Sequence, residues 1–283
     1  MKNIVVATQK NIGYYSILEK SCKKHNIELI TLGLGQKWKG FHMKFELWYK
    51  YLNKLDDKEI IMLNDAYDVI ILQDANIILK RFKKYKKKIL FCSQRGYLPR
   101  LAFNKFKKNV IASGSIIGEV KYIKKLIKLI YKYKKVWKKL KFDDQIILGY
   151  VMIKECDFFK KFIEVDKNHD FFFATDGDDL FYLPYILNGT IKNLYMKKGE
   201  IYNNRNIKPI LLHLAANVNG NKYLKYIGYN TNKIKLHGAY KFKQVFNLMC
   251  LVLNKNWQYI LLILILIYRD KLLKKYKQVI NTQ

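Results

Sequence analysis

The sequence predicts an α/β protein, a Rossmann-like mixed and mostly parallel sheet flanked by helices. Three observations lead there. Residues 3–8 and 27–32 are short apolar runs, and residues 11–25 between them carry Ile12, Tyr15, Leu18 and Cys22 at helical spacing. A strand–helix–strand opening of this kind makes a right-handed crossover between parallel strands. Ile60-Ile61-Met62-Leu63 and Ile89-Leu90-Phe91-Cys92 are continuous apolar runs, the pattern of strands buried on both faces of a parallel sheet. Asp65 and Asp68 then stand where the first of these runs stops. They fall at the carboxyl edge, where open α/β sheets bind ligands.

After the second strand, Gly33-Leu34-Gly35-Gln36-Lys37-Trp38-Lys39-Gly40 places three glycines in eight residues. Such a loop can turn sharply and approach a ligand closely. It matches neither a Walker A loop nor a GxGxxG. Trp38 there either stacks on a base or plugs the edge of the core. Residues 43–55 are helical and lead into the strand that carries the two acids. Two close carboxylates repel unless a cation lies between them, and hard oxygen ligands suit Mg2+ or Mn2+. Asp65-Ala66-Tyr67-Asp68 therefore reads as a metal–diphosphate site. An ordinary strand end with two solvated acids would present the same letters.

A basic helix at 76–88 and a strand at 89–92 follow. The small residues Ala112-Ser113-Gly114-Ser115 read as a strand edge. Residues 122–140 form a strongly basic helix, with Ile123, Leu126, Ile127, Ile130 and Tyr131 on its core stripe and lysines on its solvated face. Asp143-Asp144-Gln145 opens a further helix that either acid is placed to cap. Residues 171–176 and 210–213 read as late strands, the second ending in His213. The polar stretch from Asn217 to Lys222 comes next, with Lys222 able to meet a phosphate. One domain to residue 238 is expected, then a helical basic tail over 239–283.

Composition narrows the function classes. Half of the 283 residues are hydrophobic, which excludes a disordered chain. Lys and Arg number 54 against 22 acids, a net charge of +32. That surface attracts polyanions. The lysines, however, are scattered among Ile, Asn and Tyr, as AT-rich coding also produces. A specific nucleic-acid binder would need a basic patch interleaved with aromatics on one face, so none is expected. The four cysteines show no CxxC spacing and read as free thiols of a reducing compartment. No secretory signal opens the chain, so a cytoplasmic protein is expected. The apolar run at 259–267 is too short to span a bilayer. Together with the basic residues that follow, it suits peripheral contact with an anionic membrane.

The motifs, in order, resemble those of the glycosyltransferase domain of the procollagen lysyl hydroxylases and their viral relatives, over residues 3–230. Val5-Val6-Ala7-Thr8 matches the first strand. The loop 32–40 matches LGLGxxWxG, and Asp65-Ala66-Tyr67-Asp68-Val69 matches DxYDV. Ser113-Gly114-Ser115-Ile116-Ile117-Gly118 is similar to SGGFIG, and Asp143-Asp144-Gln145 to DDQ. His213 with Asn219-Gly220-Asn221-Lys222 resembles the HGNGxxK ending. The resemblance implies a GT-A fold, UDP-glucose or UDP-galactose as donor, and Mn2+ or Mg2+ held by Asp65, Asp68 and His213. It implies a nucleotide pocket of Val6, Thr8, Trp38, Tyr67 and Asp65, with Asn219 and Lys222 toward the phosphates. Asp143 and Asp144 would lie on the sugar or acceptor side as catalytic groups. The acceptor would be a hydroxyl of a collagen-like protein or of a glycan. The sequence departs from the pattern at Ala112, at Leu98, in a missing acid near Gln94 and in the shortened segment 41–44, on the acceptor side more than at the metal. A degenerate transferase kept as a binding module is the competing expectation.

Overall fold

The computed structural model describes residues 1–93, 111–139, 143–175, 179, 182–215, 218–232 and 234. The tail at 239–283, the boundary at 238, Gln94, Leu98, Asp176 and Asn217 lie outside the described residues.

Six strands form the central sheet. They are β1 (Lys2–Val6), β2 (Glu28–Leu32), β3 (Ile60–Asp65), β5 (Ile89–Ser93), β6 (Ile111–Glu119) and β7 (Ile163–Asp166), in the spatial order β2-β1-β3-β6-β5-β7. β1 pairs in parallel with β2 and β3, and β5 with β7, whereas β6 runs antiparallel to both β3 and β5. The sheet is thus mostly parallel with one reversed strand. Ala112 to Ser115, expected at a strand edge, lie inside that reversed strand. A second, three-stranded sheet consists of β4 (Val69–Ile71), β11 (Leu211–His213) and β8 (Phe172–Ala174), with β11 in the middle. β9 (Leu194–Lys197) and β10 (Glu200–Asn203) form a hairpin.

The central strands carry apolar residues on both faces because both are covered, and successive side chains go to opposite faces. Ile4, Val6, Ile61, Leu63, Ile89 and Phe91 enter one core cluster. Val5, Ala7, Met62, Leu90 and Cys92 enter the other. The first face is covered by α2 (Phe41–Leu52) and by the helices Val120–Lys132, Asp144–Lys154 and Cys156–Phe162, with Trp48 and Trp137 fully buried between them. The second face is covered by α1 (Tyr15–Lys24), α3 (Ala75–Phe82) and the small sheet. Burying each Leu, Ile or Phe of these faces contributes about 1.5–3 kcal/mol.

The basic segment expected as one helix over 122–140 is two, Val120–Lys132 and Lys134–Lys139, broken at Tyr133. The break lets Trp137 turn into the core, where its ring meets those of Phe45 and Tyr131. The helix expected at 76–88 ends at Phe82. No helix of the described residues is long and apolar enough to cross a membrane.

Candidate metal and nucleotide site

β3 delivers Asp65 to the carboxyl edge of the central sheet, and the tight link to β4 holds Asp68 beside it. The third component arrives from far along the chain. β11 pairs antiparallel with β4, His213 opposite Val69. His213 Nε2 lies 3.5 Å from Asp68 Oδ2 and 3.8 Å from Asp65 Oδ2. One ligand atom of each residue falls within 4.8 Å of the others.

These residues fit a divalent cation on three counts. The donor set is two carboxylate oxygens and one imidazole nitrogen, suited to Mn2+ or Mg2+. Asp68 Oδ1 is buried without a hydrogen-bond partner, a costly state unless something positive faces it. The floor is Gly114, on β6. A Cβ there would stand 2.4 Å from Asp65 Oδ2 and 2.3 Å from His213 Cε1. Only hydrogen leaves the space between the donors open. When bound, a divalent cation would neutralise the charge of a diphosphate as it departs. Burial works against the imidazolium of His213, but Asp68 and then Asp65 outweigh it, so its pKa is raised.

A cavity of about 450 Å³ opens beside these acids. Val6, Thr8, Trp38 and Tyr67 line it together with Asp65 and Asp68. The Tyr67 hydroxyl accepts the backbone N–H of Thr8 at 3.0 Å and of Gln9 at 3.2 Å, so the ring is clamped under the loop that follows β1. Gly13 makes that loop possible. Its φ is +54°, and a Cβ would lie 2.4 Å from the Tyr67 carbonyl oxygen, which itself accepts the Tyr14 N–H at 2.7 Å. The glycine-rich loop folds back over the same strand end, with Gly35 N–H donating to the Thr8 carbonyl at 3.0 Å. Trp38 is 43% exposed and meets Phe41 edge-on, ring centroids 5.8 Å apart. It stands at the mouth as a free flat surface rather than a core plug.

Asn219 and Lys222 are not among the residues lining this cavity. Lys222 Nζ donates to Thr190 Oγ1 at 2.9 Å. Asn219 Oδ1 accepts the Asn221 N–H at 2.9 Å, and its own N–H donates to the Tyr185 hydroxyl at 2.7 Å. Asp143 caps the helix Asp144–Lys154, accepting the Ile146 N–H at 2.9 Å. Asp144 is buried and bound to Lys44 at 2.9 Å. Gln145 braces β6 from outside, accepting the Ser113 N–H at 2.9 Å and donating to the Ile111 carbonyl.

Sequence reasoning assigned no role to Lys44. Its ammonium reaches Asp65 Oδ1 at 2.7 Å, Asp144 Oδ2 at 2.9 Å and the Ser113 carbonyl at 3.3 Å. Burial would lower its pKa, but Asp144 and Asp65 outweigh that and raise it. A signal was present. Lys44, Trp48 and Leu52 recur at four-residue spacing and share the buried stripe of α2, and a lysine on such a stripe must find a carboxylate.

The sequence model of the family described as PLOD GT domain matches residues 1–179. The chain belongs to that family. A multifunctional procollagen lysine hydroxylase and glycosyltransferase of Caenorhabditis elegans is 28% identical over 80% of this chain and 31% of its own length. The Homo sapiens multifunctional procollagen lysine hydroxylase and glycosyltransferase LH3 is 30% identical over 46% of this chain and 20% of its own. The chain spans less than a third of these curated relatives. Among solved structures, a galactosyltransferase LgtC in complex with donor and acceptor sugar analogues aligns over 86% of this chain and all of its own, with a TM-score of 0.48 and 11% identity. The mostly parallel sheet, its reversed strand and the acids at the end of β3 give this PLOD GT domain the GT-A fold class.

Proposed function

We propose that the protein is a metal-dependent glycosyltransferase that moves glucose or galactose from a UDP-sugar to an acceptor hydroxyl. The acceptor class we assign is hydroxylysine of a collagen-like protein, or a glycan. The observation that carries the reading is the meeting of Asp65, Asp68 and His213 at the edge of an aromatic-lined cavity. The seat would hold Mn2+ or Mg2+ and, through it, the diphosphate. Val6, Thr8, Tyr67 and Trp38 would hold the uridine, Tyr67 and Trp38 by their flat faces. Asp143 and Asp144 would stand on the sugar and acceptor side. Asn219 and Lys222 would reach the phosphates only after leaving the partners described above.

A screen of UDP-sugars for UDP release tests this. We expect release with Mn2+ for UDP-glucose or UDP-galactose, and its loss in Asp68→Ala. No release from any UDP-sugar, with strong salt-sensitive binding to duplex nucleic acid instead, would overturn it.

A further inference from the structure

Lys44 is the least expected charge in the molecule. It is 3% exposed, and its three oxygen partners come from three different parts of the chain. Asp65 ends β3, Ser113 precedes the glycine that floors the cation seat, and Asp144 opens a helix that packs on the same face of the sheet as α2. The aliphatic stem runs beside Trp48, with Nζ 5.0 Å from the ring centroid. A buried ion pair is weak evidence for stability as such. What sets this one apart is which oxygen it takes. Lys44 binds Oδ1 of Asp65, while Oδ2 of the same carboxylate faces His213.

We infer that Lys44 is a positioning residue for the cation seat: its ammonium fixes Asp65 through Oδ1 and so aims Oδ2 at the point shared with Asp68 and His213. Asp144 is the anchor that holds Lys44 in place. The DDQ acid thereby serves the DxYD acids through the lysine between them. Charge matches the arrangement. Asp65, Asp68 and Asp144 against Lys44 leave a net of two negative charges among these four groups, the complement of one divalent ion. The inference rests on the metal reading above.

Removing Lys44 alone would leave Asp144 buried and unpaired, which threatens the fold. The test therefore pairs Lys44→Met with Asp144→Asn, which removes both charges and keeps the net charge of the seat at two. The readouts are the melting temperature without metal and the Mn2+ dissociation constant by titration calorimetry. We expect a melting temperature near that of the unaltered protein and Mn2+ affinity weaker by about 10–100-fold, the usual cost of losing a group that orients a ligand. A double variant that folds and binds Mn2+ as tightly as the unaltered protein overturns the inference. If the unaltered protein takes up no Mn2+, the seat itself is wrong, which is a separate failure seen before any variant is made.

A second measurement needs no variant. The buried ammonium should give a slowly exchanging signal in proton–nitrogen spectra. It should persist when the protein is saturated with Mg2+, because Lys44 and the ion use different oxygens of Asp65. Disappearance of the signal on Mg2+ binding would mean that the ion displaces Lys44, and overturns the inference.

Discussion

Leu214 donates its backbone N–H to the Asp68 carbonyl at 2.7 Å. This bond extends the β4–β11 ladder by one step past His213 and ties the backbone after the imidazole to the backbone of the acid it faces. The distance between His213 and Asp68 is therefore fixed by strand register and not by side-chain reach. A slip of one residue would turn His213 to the opposite face of its strand.

That rigidity makes cation binding visible as stability. A ligand present at a hundredfold its dissociation constant stabilises the native state by about 2.7 kcal/mol. Mn2+ at that level should raise the melting temperature of the unaltered protein by about 5–10 °C. The rise should vanish in Asp68→Ala and in His213→Ala. Thermal melts with and without Mn2+ measure it.

Gly114→Ala should separate fold from site. The backbone at 114 is not in the left-handed region, so alanine can adopt it. The new methyl falls against Asp65 Oδ2 and His213 Cε1. We expect a melting temperature within a few degrees of the unaltered protein and Mn2+ affinity reduced by about 100-fold or more. Calorimetric titration reads the second, and wild-type affinity would refute the assignment of Gly114 as the floor.

Trp38→Ala should weaken UDP binding by about ten- to a hundredfold, since stacking a base on an aromatic ring contributes about 1–3 kcal/mol. Trp38 is substantially exposed and packs mainly on Phe41, so stability should hardly change. Equilibrium binding of UDP at saturating Mn2+ checks this.

Asp166 gives a pH signature away from the site. Burial pushes its carboxyl up to about 6, against the lowering effect of N–H bonds from Phe172 and Phe171, both 2.7 Å, and from Asp170. The folded protein thus holds this proton more tightly than the unfolded chain. Its contribution to stability is full below the unfolded pKa near 4 and is lost as pH rises toward 6. The loss is on the order of 2–3 kcal/mol across that window. Denaturant melts of Asp166→Asn should lack this share of the pH dependence, so the gap between the two proteins should narrow as pH rises.

The parts of the fold readable in the sequence were those set by local pattern. β3 and β5 announced themselves as continuous apolar runs and β1 and β2 as short, largely apolar ones, and Asp65 and Asp68 marked where one of them stops. The reversed direction of β6 was not readable. A strand buried on both faces carries the same residues whichever way it runs. β7 and the β9–β10 hairpin are short and only partly buried, so neither periodicity nor length separated them from loops. His213 could be named from the family motif, but its pairing with β4 is a register between segments roughly 140 residues apart, which no local pattern encodes. Helix-start chemistry placed a cap at Asp143 or Asp144, and the structure gives it to Asp143. The Lys44 bridge to Asp144, across 100 residues, required the packed structure.

β11 is the last strand of the described chain to be made, yet it occupies the middle of its sheet. β4 and β8 are both made before the strand that lies between them. Their backbone hydrogen-bonding groups stay open until residues 211–213 follow. The central sheet, whose strands all precede residue 167, can form first, but His213 can join the two acids only after residues 211–213 have been made. A chain released after residue 179 would carry both acids and no imidazole. The order of translation thus keeps Asp65, Asp68 and His213 from meeting before β11 has joined β4 and β8.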